Sequence, residues 1–293
     1  MRPSSKHAPA GTGRELIRPC RSYSSMRIAR FFIVAAALLA AGCQTVQTTQ
    51  PGAVGVDRKQ HMLVSEQEIE KGSQVAYDDE LKKARQKGAL NTDRATYQRV
   101  QNIVHRLVPQ TATFRPDAPQ WNWEVNVQTT EDVNAYCMPG GKIMVYTGLI
   151  EKLHATDAEL AAVIGHEIAH ALREHSRERI SRAYAEQLAL AGIAVATGAS
   201  EATMQLASQV SAVTFQLPHS REQEAEADRI GLELGARAGY DPNAAVSLWQ
   251  KMGKLASGGP PEFLSTHPSG ESRIRDLQAL VPRVMPLYQA SAR

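Results

Sequence analysis

Cysteine is scarce in this chain: three occur in 293 residues, Cys20, Cys43 and Cys137. An excess of one charge sign is also missing. The 33 basic residues nearly balance the 30 acidic ones, for a formal net charge of +3. Basic and acidic side chains interleave along the helical parts, so no block forms that would favour nucleic acid. Long apolar runs are absent as well. The apolar stretch at residues 31–43 falls short of the roughly 20 residues a spanning helix needs. No repeat of any period suggests a solenoid. What remains is the composition of a globular body, 43% hydrophobic and 22% charged, long enough to bury a real core.

From Met26 the chain reads MRIAR, then FFIVAAALLAAGC. A positive n-region, an apolar h-region and small residues at a cleavage point mark a secretion signal. It resembles a bacterial lipoprotein signal ending in Ala41-Gly42-Cys43, although Ala40 stands where Leu is usual. The resemblance implies lipidation of Cys43. Gln44 rather than Asp after the cysteine implies the periplasmic face of a Gram-negative outer membrane. Residues 1–25 are polar and read as a mis-assigned upstream start. Residues 26–42 are then the signal and 43–58 a flexible tether rich in Thr, Gln and Gly. Only Cys137 is left within the body, which excludes an internal disulfide. It reads as a small residue beside a strand rather than a nucleophile.

Helical signals flank a short β region. Ser65 and Glu68 form a capping box that opens a helix toward Lys87. A second helix spans Asp93 to Leu107, with Val100, Ile103, Val104 and Leu107 on one face and Pro109 to stop it. Residues 121–127 alternate at period two. Residues 142–146 form a second strand after the Pro139-Gly140-Gly141 turn. Thr156 and Glu159 cap a further helix predicted to run to about Arg182. The Ala-rich residues 185–215 suggest a helical pair broken near Gly198, placed where it could cover the site described next. Helices follow from about Ser220 to Arg237, from Pro242 and from near Ser269. The fold class is α+β, predominantly α-helical.

His166-Glu167-Ile168-Ala169-His170 is an H-E-x-x-H pattern. Two histidines four apart stand one turn above another on one helix face, so both rings can reach one zinc ion. Glu167, one position later, is placed to take a proton from a water on that ion. A catalytic zinc needs a third protein ligand. The H-x-x-G-x-x-H extension is excluded, because Arg173 and Ser176 stand at its positions. His175 sits five residues past His170, on a different face of the same predicted helix. Downstream, Glu224 and Asp228 are four apart. Glu224 can be the third ligand and Asp228 the acceptor for a ligand histidine's ring N–H. Spacing alone does not choose Glu224 over Glu222; the paired Asp228 favours Glu224. Ala225 and Ala227 would let this helix approach the first.

HEIAH followed by EAEADRIG resembles the M48 family of zinc peptidases, of the periplasmic lipoprotein, Oma1-like type, over about residues 60–285. The resemblance implies a zincin-like domain at 59–285, a tail at 286–293 and one zinc per chain. It also implies a small β-sheet edge beside the H-E-x-x-H helix, where Asn134, Gly141 and Ile143 would bind an extended substrate. His267, in Thr266-His267-Pro268, would either steady the oxyanion or plug the open zinc position. His219 stands where the family often has an aromatic residue. The activity implied is hydrolysis of misfolded or unassembled envelope proteins. The rivals are a chaperone-like assembly factor with latent proteolysis, its assembly partners unidentified, and a closed structural zinc module.

Overall fold

The computed structural model describes residues 44–191, 199–215, 218–256, 262–267 and 270–291, all within one compact unit. The signal, Cys43, the break near Gly198 and Pro268 lie outside the described residues.

The domain is mainly helical, with two small sheets. Strands β1 (Gln44–Val46) and β2 (Gln60–Met62) pair antiparallel. Helix α1 (Glu66–Gln86) starts at Ser65, whose capping box with Glu68 is formed. Helix α2 (Arg94–Leu107) starts at Asp93 and buries Val100, Ile103, Val104 and Leu107. The helix ends at Leu107 as expected, and Pro109 lies in the 3₁₀ turn that follows, Val108–Thr113.

The second sheet holds β3 (Glu124–Gln128), β4 (Ala135–Met138) and β5 (Lys142–Tyr146). β5 is central, parallel to β3 and antiparallel to β4. The β4–β5 turn needs positive φ at Gly140 and Gly141, 78° and 79°. The chain then runs through α3 (Thr147–Lys152), α4 (Asp157–Leu172), α5 (His175–Ala191), α6 (Ala199–Phe215), α7 (Arg221–Arg237), α8 (Asn243–Ala256), α9 (Glu262–Thr266) and α10 (Glu271–Ser291).

The larger hydrophobic core gathers α2, α4, α7, α8 and α10 with one face of the second sheet. A smaller core lies on the sheet's other face, where Tyr77 of α1, Tyr136 and Met144 meet Leu206, Val210 and Val213 of α6. No helix among the described residues is long and apolar enough to cross a membrane.

Three sequence readings need correction. Residues 44–58 are not a loose tether from Gln44 onward: β1 pairs with β2, and Val54 and Val56 are buried in the larger core. The tail from 286 is the end of α10, which carries Pro282 and Pro286 within its length. The H-E-x-x-H helix does not run to Arg182; it ends at Leu172. Glu174 adopts a positive φ of 51° and breaks it, as a glycine would. That conformation is held from outside: Arg115 and Arg177 donate to the Glu174 carboxylate at 2.7 and 2.5 Å.

Candidate metal centre

Helix α4 carries His166, Glu167 and His170, all buried, and packs on β4 and α7. Its crossing with α7 is close because two glycines face each other. A Cβ on Gly231 would lie 2.7 Å from the His166 amide nitrogen. Ala227 is buried in the same core, but the near-contact of backbones is at Gly165 and Gly231, which the sequence reading had not singled out.

This crossing aims Glu224 of α7 at the two histidines. His166 Nε2 and His170 Nε2 are 3.1 Å apart. Glu224 Oε1 is 3.3 Å from His170 Nε2, and Glu224 Oε2 is 3.5 Å from His166 Nε2. His267, just past α9, completes the cluster, its Nδ1 3.3 Å from His166 Nε2 and 3.0 Å from Glu224 Oε1. Four donors around a zinc at 2.0–2.1 Å would be about 3.3 Å apart in a tetrahedron. The observed set fits such an ion. Glu222, the alternative to Glu224, is exposed and lies 3.6 Å from Arg58.

Each side chain is held from behind. Asp228 Oδ1 lies 3.1 Å from His166 Nδ1, at ion-pair range though not in hydrogen-bond alignment. Arg273 of α10 donates to both oxygens of Asp228 at 2.7 and 2.6 Å, reaches Glu224 Oε2 at 2.6 Å, and lies over Trp249. Arg273 was not identified from the sequence, where nothing distinguishes it from other helical arginines. Glu167 Oε1 is buried without a hydrogen bond, His267 Nε2 standing 3.6 Å away.

The electrostatics follow. Burial alone would lower the His166 pKa, but Glu224 and Asp228 raise it to about 9. Burial pushes the Glu224 carboxyl up, yet His267 and His166 outweigh it and hold it well below the usual range. Burial likewise opposes ionisation of Asp228, and Arg273 more than compensates. For Glu167 burial wins and the carboxyl is raised. Burial also raises the Cys137 thiol, the opposite of what a nucleophile needs.

The three residues predicted to bind substrate are not brought together. Ile143 lies in central β5, paired with Val125 on one side and Cys137 on the other, so it offers no free edge. Gly141 serves the turn, its α-carbon covered by the Trp123 ring. Asn134 immediately precedes β4, and its side chain accepts from the Ala135 amide. Among the described residues β4 has no strand partner beyond β5, so it is the edge beside α4.

The sequence profile of peptidase family M48 matches residues 94–281. The mitochondrial metalloendopeptidase OMA1 of Arabidopsis thaliana is 43% identical over 157 residues, 53% of this chain and 30% of that protein. The bovine metalloendopeptidase OMA1, also mitochondrial, is 35% identical over 244 residues, 79% of this chain and 44% of that protein. The beta-barrel assembly-enhancing protease of Escherichia coli K12 is 30% identical over 175 residues, 55% of this chain and 35% of that protein. The chain thus covers less than half the length of each. These relatives correct the expected location. Relatives from plant, mammal and yeasts are named as mitochondrial proteins, which overturns the reading of a lipid-anchored protein at a Gram-negative outer membrane.

Proposed function

The chain belongs to peptidase family M48, and from that premise we propose that it is a zinc-dependent endopeptidase acting on unfolded or unassembled polypeptides. The observation that carries this is the convergence of His166, His170 and Glu224 on one point, with Glu167 Oε1, buried without a hydrogen bond, on the adjacent residue. Zinc held there would supply a Lewis acid and a water of lowered pKa. Glu167 Oε1 takes the proton of the attacking water and passes it to the leaving amine nitrogen. Arg273 and Asp228 keep Glu224 and His166 in place while charge moves. An extended substrate would pair with β4, the outer strand of the second sheet, once the buried strand is uncovered, which favours segments that are not already folded.

A second reading is favoured by one observation, the position of His267 Nδ1 at the fourth corner of the donor set. In that reading the site rests closed and hydrolysis is secondary to an assembly role.

The test is zinc content and casein cleavage by wild type, Glu167→Gln and His166→Ala. The proposal expects about one zinc per chain in wild type and Glu167→Gln. It expects loss of zinc in His166→Ala and cleavage lowered at least a hundredfold in both variants. Wild-type cleavage by Glu167→Gln would remove its assigned role. Zinc without cleavage, with Glu167→Gln restoring the function of a deletion, would establish the second reading.

A further inference from the structure

A second histidine group adjoins the first: His170, His175 and His219 place one ring nitrogen each within 4.8 Å of one another. It is not a second metal site. His170 Nδ1 and His175 Nδ1 are only 2.7 Å apart, whereas two donors on a tetrahedral zinc would be about 3.3 Å apart. A separation of 2.7 Å between ring nitrogens is a hydrogen bond, so one of them carries the proton.

The remaining contacts say which. The other nitrogen of His175, Nε2, lies 3.0 Å from Glu226 Oε2. A carboxylate only accepts, so His175 Nε2 is the donor there. Glu226 is itself fixed, since Arg58 Nε donates to Oε1 at 2.6 Å and Arg173 Nε to Oε2 at 3.0 Å. With Nε2–H spent on Glu226, the neutral ring of His175 has a lone pair at Nδ1. His170 Nδ1–H then donates to it, which leaves the lone pair of His170 at Nε2, facing Glu224 and His166.

We infer that His175 is a positioning residue. Through Glu226 it fixes His170 in the tautomer that presents Nε2 to zinc. This rests on the zinc reading above. The break at Glu174 makes it possible: the chain turns back after α4, so a residue five positions past His170 meets its outer nitrogen instead of pointing away along one continuous helix.

The experiment uses the full chain with His175→Asn and His175→Gln. An asparagine oxygen can occupy nearly the position of His Nδ1, whereas a glutamine amide extends toward that of Nε2. Zinc affinity is measured by competition with a chromophoric chelator, and the His170 tautomer of the zinc-free protein by nitrogen-15 NMR of its ring. We expect His175→Gln to bind zinc about ten- to a hundredfold more weakly and His175→Asn to recover most of that loss. We also expect the wild type to show His170 as the Nδ1–H form and His175→Gln to shift it toward Nε2–H. Equal affinity in wild type and His175→Gln would overturn the inference, as would equal losses in the two variants with the tautomer unchanged. Should either variant fold poorly, the tautomer in the wild type decides alone, and an Nε2–H ring there overturns the inference. Failure of the wild type itself to bind zinc would instead refute the metal reading.

Discussion

Gly165 and Gly231 face each other where the two helices bearing the proposed ligands cross. A Cβ on Gly231 would meet backbone atoms of Gly165 and His166 at 2.7–2.9 Å, and one on Gly165 would meet Gly231 O at 3.1 Å. Backbone in a packed helix cannot give way as a flexible side chain can. Gly231→Ala is therefore expected to force the helices apart and cost roughly 1–3 kcal/mol, with Gly165→Ala milder. Gly235, on the same helix, has nothing within 4 Å of its would-be Cβ. Gly235→Ala should thus stabilise by roughly 0.5–1 kcal/mol. Urea unfolding of the three variants checks the order. Gly231→Ala as stable as wild type would contradict the crossing described.

Arg273 donates to both oxygens of the Asp228 carboxylate, which His166 Nδ1 also approaches at 3.1 Å, and it reaches Glu224 as well. Removing one partner of a buried pair leaves the other charge unpaired, at a cost of roughly 3–5 kcal/mol. Arg273→Met is expected to lose stability on that scale. Adding Asp228→Asn to it should restore part of the loss, so that the double variant is more stable than the sum of the single effects allows. Denaturant unfolding of the metal-free proteins completes the cycle; strict additivity would mean the two side chains do not depend on each other.

What could be read in advance was local. H-E-x-x-H, the capping boxes at Ser65 and Thr156 and the pairing of Glu224 with Asp228 are all patterns within a few residues, and each is realised on a helix. What could not be read depends on residues far apart. The break after Leu172 goes with an ion pair from Arg115 to Glu174, 59 positions away. No local signal marks it, because Arg173-Glu174-His175 has ordinary helix-forming composition. The same break gives His175 its partner, so a helix drawn straight through to Arg182 hid that contact. The central place of Ile143 is hidden for a related reason: which strand of three is central is settled by pairing, which no pattern within one strand displays.

The raised pKa of His166, to about 9, gives zinc binding a pH dependence. In the metal-free protein that ring is protonated below about pH 9, whereas zinc requires it neutral. Binding across pH 6–8 therefore displaces one proton, and affinity should climb about tenfold per pH unit. The sign for stability is the reverse. A raised histidine pKa stabilises the metal-free fold fully below the unfolded value of about 6.5, and that contribution fades as pH rises through about 9. Chelator competition at pH 6, 7 and 8 tests the first statement, and metal-free thermal melts over the same range test the second. A flat affinity profile would show that the carboxylates do not hold a proton on His166.

His267 offers the clearest separation of two roles. Its Nδ1 stands 3.0 Å from Glu224 Oε1 and 3.3 Å from His166 Nε2, while Nε2 lies 3.6 Å from Glu167 Oε1. Held there, the ring occupies the corner that a water or a substrate carbonyl would need. Removing it should open that corner, so His267→Ala is expected to keep zinc through His166, His170 and Glu224 and to cleave casein faster than wild type. If the ring instead steadied the developing oxyanion, its loss would lower kcat by roughly 10²–10³-fold with KM little changed. The two outcomes move kcat in opposite directions, and His267→Gln separates them again, since a side-chain amide can still donate to an oxyanion but is a poor zinc ligand. Faster cleavage by both variants assigns His267 to holding the site closed; slow cleavage by His267→Ala, with recovery in His267→Gln, assigns it to the reaction.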